Sequence, residues 1–328
     1  MKQLVSVVIA SYGHAAYLRA CVRSGLAQTW ADLEILIIDD CSDDGSWEIA
    51  EELARIEPRV RAFRNERNLG TYGALNAGLD AAQGDWVAIL NSDDLWQPMK
   101  LDRQMAALSE TGGDWAYTRG KLIDSEGKPL PGDPHGTWPT MATQDLLPFL
   151  LDSNRILASS LVFCRGAARF RPNLRYTGDW LAALSLAERG PATFVDEPLV
   201  AWRQHEANSY RRSQALTLEE ISVRRAILRG EAHWLKVASD SAAVSKGLGG
   251  CALALSALYV LVGQMRLARA AARTSARLRP GSQARRRRIV TALPRRLAQT
   301  RLWPNEAPQI IDLTALLSGP ADLGLDER

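Results

Sequence analysis

The sequence predicts an α/β fold: an α/β/α sandwich with a mixed, mainly parallel sheet, followed by a helical C-terminal region. Over the first 205 residues, short apolar runs bounded by turn residues alternate with amphipathic stretches of helical length. After residue 210 only helical patterns remain. The chain has 328 residues, of which 46% are hydrophobic, so it is long and apolar enough to form a sizeable core.

The alternation begins with a strand at Leu4–Ala10 and a helix at Tyr17–Gln28. The next predicted elements are the strand Leu33–Ile38, the helix Gly45–Ile56, the strand Val60–Arg64, the helix Thr71–Ala82, the strand Trp86–Leu90 and the helix Met99–Ser109. This order indicates parallel strands joined by right-handed crossovers. Later elements are less regular: the strand Trp115–Ile123, a loop at Gly127–Pro139, a short strand Ser159–Cys164, the helix Trp180–Arg189 and a final strand Leu199–Arg203.

The net charge of +3 conceals a strong asymmetry along the chain. Residues 241–305 contain one Lys, twelve Arg and no acidic residue, whereas residues 306–328 are acidic. Such a break in charge often marks a domain boundary. We therefore predict a domain at 1–210, a basic helical region at 211–305 and a tail at 306–328.

The four cysteines lie far apart and form no CxxC pair, which argues against a zinc ribbon or a disulfide framework. They are Cys21, Cys41, Cys164 and Cys251. The strand-like start of the chain is not typical of a signal peptide. The longest apolar run, Leu248–Val262, contains glycines and is too short for a membrane span. We therefore expect a cytoplasmic protein.

Two pairs of adjacent carboxylates follow predicted buried strands. Asp93 and Asp94 come after Trp86–Leu90, and Asp39 and Asp40 end the strand that begins at Leu33. Neighbouring carboxylates at a buried strand end are unfavourable unless they bind a positive group. Ligands of open α/β sheets bind at the carboxyl ends of strands. The pairs predict a metal–nucleotide site; the alternative is that each pair only caps the next helix.

Neither glycine-containing turn of the first half has a phosphate-binding pattern. Ser11–His14 lacks the dinucleotide fingerprint, and Gly70–Gly73 is not followed by the Lys of a P-loop. A phosphate group at this site would need a metal ion for neutralisation. Carboxylates are the ligands that Mg²⁺ and Mn²⁺ prefer, so we expect one of these divalent cations as cofactor.

The motifs over about residues 4–205 resemble those of family 2 glycosyltransferases. They are Val5–Tyr12, Gln28–Trp30, Ile38–Ser46, Asn68–Gly70, Ala74–Gly78, and Gly84–Trp86 leading to Ser92-Asp93-Asp94. The resemblance implies a GT-A type nucleotide-binding sandwich, a nucleotide-sugar donor, a divalent metal and inversion of the anomeric centre. It also implies a saccharide or lipid-linked saccharide acceptor, in the synthesis of cell-surface polysaccharide.

The resemblance also assigns roles to individual residues. Asp40 and Asp39 would bind the base of a uridine nucleotide, Asp93 would lie near the ribose and metal shell, and Asp94 would ligate the metal. The rest of the nucleotide pocket would be formed by Ala10, Ser11, Tyr12 and Asn68. This chain departs from the family pattern at three positions, because Asn91 replaces an Asp, Leu75 an Arg and Gly13 an Asn.

Inverting transfer requires a base that removes the proton of the acceptor hydroxyl. The family resemblance places this base at Asp179, beside Trp180, which is a candidate for stacking on a sugar ring. The alternative is that Asp179 caps the helix that follows. Asp152, Glu188 and Asp196 are weaker candidates for the base.

His205 and Arg203 lie in a stretch that resembles the Arg-x-His-x-x-Asn-x-Ser signature closing such domains. His205 would complete the metal shell, since neutral imidazole is a common ligand of divalent cations, or it would contact the diphosphate. Arg203 would offset phosphate charge. The alternative for His205 is a surface histidine that follows a strand.

The region after residue 210 lacks a catalytic pattern. Leu216–Val237 is predicted to be a helix, and Gly249–Ser282 has the length and spacing of one tetratricopeptide unit. Arg285–Arg288 and Arg295–Arg296 add a basic stretch. Residues 266–301 are either a solvated helical face or a surface that binds an anionic membrane. In the second case the protein would be peripheral on the inner face of the membrane. Nucleic-acid binding is disfavoured because only Trp303 lies nearby.

Two other functions remain open from the sequence. A sugar-nucleotide pyrophosphorylase shares the general α/β plan, but it would carry a Gly-rich, basic loop after the first strand, which Ser11–His14 is not. A non-catalytic nucleotide- or carbohydrate-binding protein would keep the fold and lose the chemistry.

Overall fold

The computed structural model describes residues 3–134, the backbone of 143–144, and residues 146–206, 208, 214–229 and 242–279. These residues form two compact units. The first comprises the described residues of Met1–Asp145, Arg155–Ala182 and Arg189–Arg211; the second comprises Leu146–Asn154, Ala183–Glu188 and the described residues after Arg212. The second unit thus includes two segments from inside the predicted first domain.

The first unit is built on one mixed sheet, as predicted. Its described strands are β1 (Val5–Ser11), β2 (Leu33–Asp39), β3 (Val60–Arg64), β4 (Trp86–Ile89), β5 (Leu95–Trp96), β6 (Trp115–Ile123), β7 (Pro129–Leu130), β8 (Thr143–Gln144), β9 (Val162–Cys164) and β10 (Ala192–Arg203). The strand order is β3-β2-β1-β4-β9-β6-β10-β5, with β7 beside β6 and β8 beside β10. Strands β1 to β4 pair in parallel, as does β6 with β10, whereas β9 is antiparallel to both of its neighbours.

The helices agree with the periodicity of the sequence. Those described are α1 (Ala15–Leu26), α2 (Ser46–Ile56), α3 (Gly70–Ala81), α4 (Lys100–Thr111), α5 (Leu147–Asp152), α6 (Gly178–Arg189), α7 (Gln214–Arg229), α8 (Ala242–Leu261) and α9 (Met265–Leu278). Continuous apolar runs form the central strands because both faces of the sheet are covered. Val7, Val8 and Ile37 are fully buried, so the sheet is the core of this unit.

The later strands differ from the prediction. Strand β10 begins at Ala192 rather than Leu199, and its register against β6 shifts on either side of Pro198. Proline lacks the N–H that a strand ladder requires, which hides such a strand from sequence patterns. The predicted strand at Ser159–Cys164 starts with a 3-10 turn, Ala158–Ser160. The predicted loop contains the short strand β7, and its residues 135–139 lie outside the described residues.

The second unit confirms a helical C-terminal region. Helices α8 and α9 form a hairpin whose turn contains Gly263 with φ of +74°, a left-handed conformation that glycine adopts without strain. Tyr259 and Ala268 are buried in this unit. The end of the predicted helix after Arg229, the Arg285–Arg288 and Arg295–Arg296 stretch, Trp303 and the 306–328 tail lie outside the described residues.

Helix α8 is longer than the apolar run seen in the sequence. Its twenty residues, Ala242–Leu261, have the length and composition of a membrane span, the one such helix in the described part of the chain. However, 61% of its apolar window is buried inside the protein, as in the core helix of a soluble domain. The interior of the second unit therefore accounts for this apolarity.

Candidate nucleotide and metal site

The two acidic pairs meet at the carboxyl edge of the sheet. Ser11 at the end of β1 is in register with Asp39 at the end of β2, and the Asp40 N–H donates to the Ser11 carbonyl at 2.8 Å. Strand β4 lies on the other side of β1 and leads directly to Asp93 and Asp94. The predicted clustering of both pairs at one edge is therefore present in the fold.

Three oxygen atoms at this edge are buried and lack a hydrogen-bond partner in the described structure: Ser11 Oγ, Asp39 Oδ1 and Asp40 Oδ2. Their residues are at most 2% exposed. A buried polar atom without a partner is unfavourable by about 1–3 kcal/mol, so native proteins rarely keep one without a reason. Three such acceptors side by side suit a ligand that brings N–H or O–H groups, such as a nucleobase.

The other oxygens of the Asp39-Asp40 pair fix its position. Asp39 Oδ2 accepts from the Ser42 N–H at 3.1 Å and lies 3.4 Å from the Arg64 guanidinium. Asp40 Oδ1 accepts from the Asn65 amide at 2.7 Å and the Leu69 N–H at 2.8 Å. Each carboxylate is therefore held by one oxygen while the other remains available.

The remaining predicted nucleotide contacts lie around this edge. Tyr12 is 54% exposed, so its ring is open to a ligand, and Ala10 is partly buried at the end of β1. Asn68 is exposed, and its side-chain oxygen accepts from the Gly70 N–H at 3.0 Å. That bond closes the turn into α3, so Asn68 has a structural role here as well as the predicted ligand role.

A second cluster combines two imidazoles with one carboxylate. One ligand atom from each of His14, Asp93 and His205 lies within 4.8 Å of the others. His205 Nε2 is 3.0 Å from Asp93 Oδ2, and the His14 Nδ1 is 2.7 Å from the Ser92 hydroxyl. The Asn208 amide also reaches Asp93 Oδ2, at 3.4 Å. The structure thus brings the predicted Asp93 and His205 together and adds His14.

The turn between β1 and α1 holds His14 in place. The His14 N–H donates to Ser46 Oγ at 3.1 Å, and the next N–H, that of Ala15, donates to Asp44 at 2.9 Å. The Tyr17 ring lies 4.8 Å from the His205 ring and 6.0 Å from that of His14. Burial lowers the pKa of His14, against the opposing effect of the Asp93 charge. Burial therefore favours the neutral imidazole, which is the form that binds metals.

Asp94 does not have the environment expected of a metal ligand. Its Oδ1 accepts from the Arg203 N–H at 3.0 Å, and its Oδ2 accepts from Ser159 Oγ at 2.5 Å and the Asn91 amide at 3.3 Å. The residue is 1% exposed, and burial, together with the adjacent Asp93 charge, raises its pKa. Both oxygens are used inside the protein, so the structure favours Asp93 over the predicted Asp94 as the metal ligand.

The side chain of Arg203 also contacts other parts of the protein. Its Nε donates to the Asp93 carbonyl at 2.7 Å, and its Nη1 donates to the carbonyls of Asp124 at 3.2 Å and Ser125 at 2.9 Å. The guanidinium also lies over the Tyr17 ring, 5.0 Å from its centroid. Arg203 is 4% exposed, which argues against the predicted phosphate contact and indicates that it fixes the loop bearing Asp93.

Asp179 lies in the first turn of α6 and is partly buried. Its Oδ1 accepts from the Trp180 N–H at 2.7 Å and from the Tyr72 hydroxyl at 3.4 Å. Tyr72 belongs to α3, the helix that follows the Asp40-bound Leu69. Trp180 is 3% exposed, which argues against its predicted stacking on a sugar ring.

His14 is the site residue that the sequence patterns did not identify. Its partners in the cluster are 79 and 191 residues away, and no local spacing connects them. Its position in the sequence was the one available signal. His14 lies three residues after Ser11, the last residue of β1. A donor set of two imidazoles and one carboxylate suits a divalent transition metal better than Mg²⁺, which prefers oxygen ligands alone.

Comparison with solved structures shows the class of fold. S. aureus TarS, residues 1–349, superposes with a TM-score of 0.64 at 15% identity over 92% of this chain and 93% of that one. A complex of the same protein with UDP-GlcNAc gives 0.59 at 16% identity, over the same shares of the two chains. The mixed sheet with its acidic carboxyl edge is that of the GT-A type glycosyltransferases.

Sequence comparison adds the family. The model of glycosyl transferase family 2 matches residues 6–171, half of the chain, and this protein belongs to that family. It is 31% identical, over 62% of its length and 79% of the relative's, to TuaG of Bacillus subtilis, which is named for teichuronic acid biosynthesis. It is 37% identical, over 31% of its length and 40% of the relative's, to the Escherichia coli UDP-Glc:alpha-D-GlcNAc-diphosphoundecaprenol beta-1,3-glucosyltransferase WfaP.

Proposed function

We propose that this protein is an inverting glycosyltransferase that moves a sugar from a uridine-diphosphate donor to a hydroxyl group of a lipid-linked saccharide. The observation that supports this proposal most strongly is the composition of the sheet edge. Three buried oxygens without a partner, on Ser11, Asp39 and Asp40, lie at the same edge as the cluster of His14, Asp93 and His205. The first group suits a nucleobase and the second a metal-bound diphosphate. A GT-A fold in family 2 supplies the class of reaction.

The donor proposal rests on complementarity. Asp39 Oδ1 and Asp40 Oδ2 are acceptors only, and uracil offers an N–H donor at its edge. Ser11 Oγ would bond a second polar atom of the nucleoside, and the exposed Tyr12 ring would cover it. The complexes of TarS with UDP-GlcNAc and with UDP support the choice of uridine.

His14, Asp93 and His205 would hold the divalent cation, for which Mn²⁺ is the better candidate. Bound there, such a cation acts as a Lewis acid that offsets the charge of the departing diphosphate. His14 and His205 contribute no charge when neutral, so Asp93 supplies the single formal negative charge of the set. The Arg203 bonds to the Asp93 and Asp124 backbones keep this carboxylate in position.

Asp179 is the proposed base. The acceptor oxygen attacks the anomeric carbon opposite the bond to the diphosphate, and the new carbon–oxygen bond forms as the old one breaks. The electron pair of the broken bond leaves with the diphosphate oxygen, and the proton of the acceptor hydroxyl passes to the Asp179 carboxylate. The hydrogen bonds from Tyr72 and the Trp180 N–H orient that carboxylate.

The names of two relatives support the proposed acceptor and location. WfaP is named for a diphosphoundecaprenol-linked acceptor, and TuaG for the synthesis of a polysaccharide. A lipid-linked acceptor lies at a membrane surface. We therefore place the enzyme in the cytoplasm, peripheral to the inner face of the membrane, in cell-surface polysaccharide synthesis.

The test is a thermal-shift and calorimetric screen of the full chain against UDP, CDP, GDP and ADP, each with Mn²⁺, with Mg²⁺ or with chelator. We expect UDP with Mn²⁺ to give the largest rise in melting temperature, since a ligand that binds only the native state stabilises it. Asp40→Asn should lose the preference for UDP, because one acceptor oxygen becomes an N–H₂ donor.

Two results would contradict the proposal. One is equal binding of all four nucleotides, which would remove the base-recognition role of Asp39 and Asp40. The other is UDP-sugar binding without sugar transfer to any lipid-linked or soluble acceptor of a broad panel, which would favour the non-catalytic alternative.

A further inference from the structure

Four arginines form a stripe along one face of α9. Arg266, Arg269, Arg273 and Arg277 are all exposed. At 100° per residue they fall within an arc of about 80° and extend about 16 Å along the helix. The helix contains no acidic residue. We call these four residues the α9 arginine face.

The opposite side of α9 fixes the direction of this face. Ala268, Ala271 and Ser275 are buried, and Ser256 Oγ of α8 donates to the Ala268 carbonyl at 2.8 Å. The helix therefore packs against α8 and turns its arginines to solvent. In the described part of the chain, none of the four makes an ion pair.

Several other arginines in the described part of the chain have an acidic partner. Arg19 pairs with Glu52 at 2.5 Å, and Arg61 pairs with Glu34 at 3.2 Å. In the second unit itself, Arg224 pairs with Glu220 at 2.7 Å. Four like charges on adjacent turns repel one another, so a helix that keeps them without acids is less stable than one with mixed charges. Such a face is favourable when it meets a dense negative charge.

We propose that the α9 arginine face docks this enzyme onto an anionic lipid surface. The inference rests on the proposed function in one respect, since a lipid-linked acceptor requires the enzyme to reach the membrane. Ala270 is exposed at the edge of the face, and Leu267, 39% exposed, lies on the flank between the arginines and the buried side of the helix. Arginines interspersed with apolar side chains match the phosphate-to-acyl boundary of a bilayer. No aromatic residue of α9 is available to stack on nucleic-acid bases.

Cosedimentation of the full chain with vesicles tests the proposal. The vesicles are phosphatidylcholine alone, or phosphatidylcholine with about 30% phosphatidylglycerol, at about 50 to 500 mM NaCl. We compare wild type with the variant Arg266→Gln, Arg269→Gln, Arg273→Gln and Arg277→Gln. A matched control, Arg23→Gln, Arg55→Gln, Arg165→Gln and Arg189→Gln, removes the same charge from exposed arginines of the first unit that also lack an ion pair in the described structure.

We expect wild type and the control to bind the anionic vesicles and not the neutral ones. This binding should become weak at high salt. A near-surface arginine contributes about fivefold to partitioning, so the α9 variant should bind at least ~10-fold more weakly. Its circular dichroism and UDP affinity should match wild type, which separates lost docking from lost folding and from failure of the proposed function.

Three results would overturn the inference. One is equal binding of the α9 variant and wild type. Another is loss of binding only when Arg285–Arg288 are changed to Gln, which would move the docking surface outside α9. The third is tight binding to an oligonucleotide without binding to anionic vesicles, which would make the face a nucleic-acid surface.

Discussion

Asp93 and Asp94 are chemically identical neighbours with different environments. Asp94 accepts hydrogen bonds through both oxygens and is 1% exposed, whereas Asp93 points one oxygen at His205 and Asn208. The backbone N–H of Arg203 and the hydroxyl of Ser159 decide which carboxylate is structural. Our proposal therefore assigns Asp93 to the ligand and Asp94 to the fold.

Exchanging each Asp for Ala should separate these roles. Asp94→Ala leaves the Ser159 and Arg203 donors without partners, and we expect the free energy of unfolding to fall by about 2–4 kcal/mol. Asp93→Ala should remain folded, because its side chain mainly faces the cluster, and should lose Mn²⁺-dependent UDP binding. Urea unfolding and calorimetry measure the two effects. A stable Asp94→Ala protein with abolished Mn²⁺ binding would return the metal role to Asp94.

The cluster also predicts a metal preference. Two imidazole ligands should make UDP binding tighter with Mn²⁺ than with Mg²⁺, and His14→Gln should reduce the Mn²⁺ advantage by about 10-fold or more. Calorimetric titration of UDP at saturating concentrations of each cation measures this. Arg23→Gln, an exposed position of α1 without a role in the site, is the control. An unchanged Mn²⁺ preference in His14→Gln would exclude His14 from the metal shell.

The proposed base gives a third residue-scale prediction. Asp179→Asn keeps the shape of the side chain and its bond from the Trp180 N–H, but removes the basic oxygen. We expect turnover to fall by ~10²–10⁴ with donor affinity near that of wild type. Initial rates with the donor identified by the thermal-shift screen measure this. Wild-type turnover would mean that Asp179 serves only as a helix cap.

The site was predictable where chemistry depends on residue type and position in a strand. The strand-end pattern indicates Asp39, Asp40, Asp93 and Asp94, and the resemblance to a family signature indicates His205. The distinction between Asp93 and Asp94 was not predictable, since it depends on which oxygens meet backbone donors. Burial of Arg203 and Trp180 depends on packing from distant segments, and no local pattern encodes it.

Helix α4 begins with a buried lysine. Lys100 is fully buried, its Nζ donates to Gln104 Oε1 at 2.7 Å, and Gln104 in turn donates to the Ser160 carbonyl at 2.9 Å. The amine also lies 4.0 Å from the centre of the Trp96 ring. Burial lowers the pKa of Lys100 well below its ordinary value of 10.5. The residue connects α4 to the turn before β9 at an electrostatic penalty.

This penalty makes stability depend on pH. At pH values between the lowered pKa of Lys100 in the folded protein and its ordinary value of 10.5, the unfolded chain binds more protons than the folded one. The free energy of unfolding therefore rises with pH in this window, and above pH 10.5 the penalty for burying the charged amine is absent. Lys100→Met removes the titrating group and should remove this rise, with its largest relative gain in stability at low pH. Urea unfolding of both proteins between about pH 6 and pH 9 measures the difference. Parallel pH curves would show that Lys100 titrates normally in the folded state.

At the level of elements, apolar runs predicted the central strands and amphipathic periods predicted α1 to α4. Prediction missed the first part of β10, because Pro198 interrupts the pattern before the predicted segment Leu199–Arg203. It also failed for β7 and the 3-10 turn at Ala158–Ser160, because both are too short to show a period. Long periodic segments are predictable from the sequence alone. Very short strands and turns are not, because they form only where a neighbouring strand pairs with them.

At the scale of the whole molecule, the proposed boundary at residue 210 does not separate the two compact units. Helix α5 belongs to the second unit, and its Leu150 and Leu151 are buried. Gly247 of α8 allows the close approach, since a Cβ there would lie 2.3 Å from the Pro148 carbonyl oxygen. Helix α8, which lies after residue 210, thus packs against α5, which lies about sixty residues before that boundary.

A chain ending at residue 210 should therefore be less stable and less soluble than the full protein. Loss of α8 would expose Leu150 and Leu151, each favoured by burial by about 1.5–3 kcal/mol. Size-exclusion chromatography and thermal unfolding measure the effect, and the same truncation with Leu150→Ser and Leu151→Ser should recover solubility. A monomeric 1–210 chain as heat-stable as the full protein would show that α5 needs no partner from α8.

The insertion of α5 into the first half of the chain has an evolutionary consequence. A single crossover between genes near codon 210 would give the α5 of one parent to the α8 of the other. Pro148 and Gly247 fit so closely that a parent with any larger residue at the glycine position would not accept the exchange. Recombination within the family should therefore preserve these helices as a linked set, inherited together although the chain separates them by about a hundred residues.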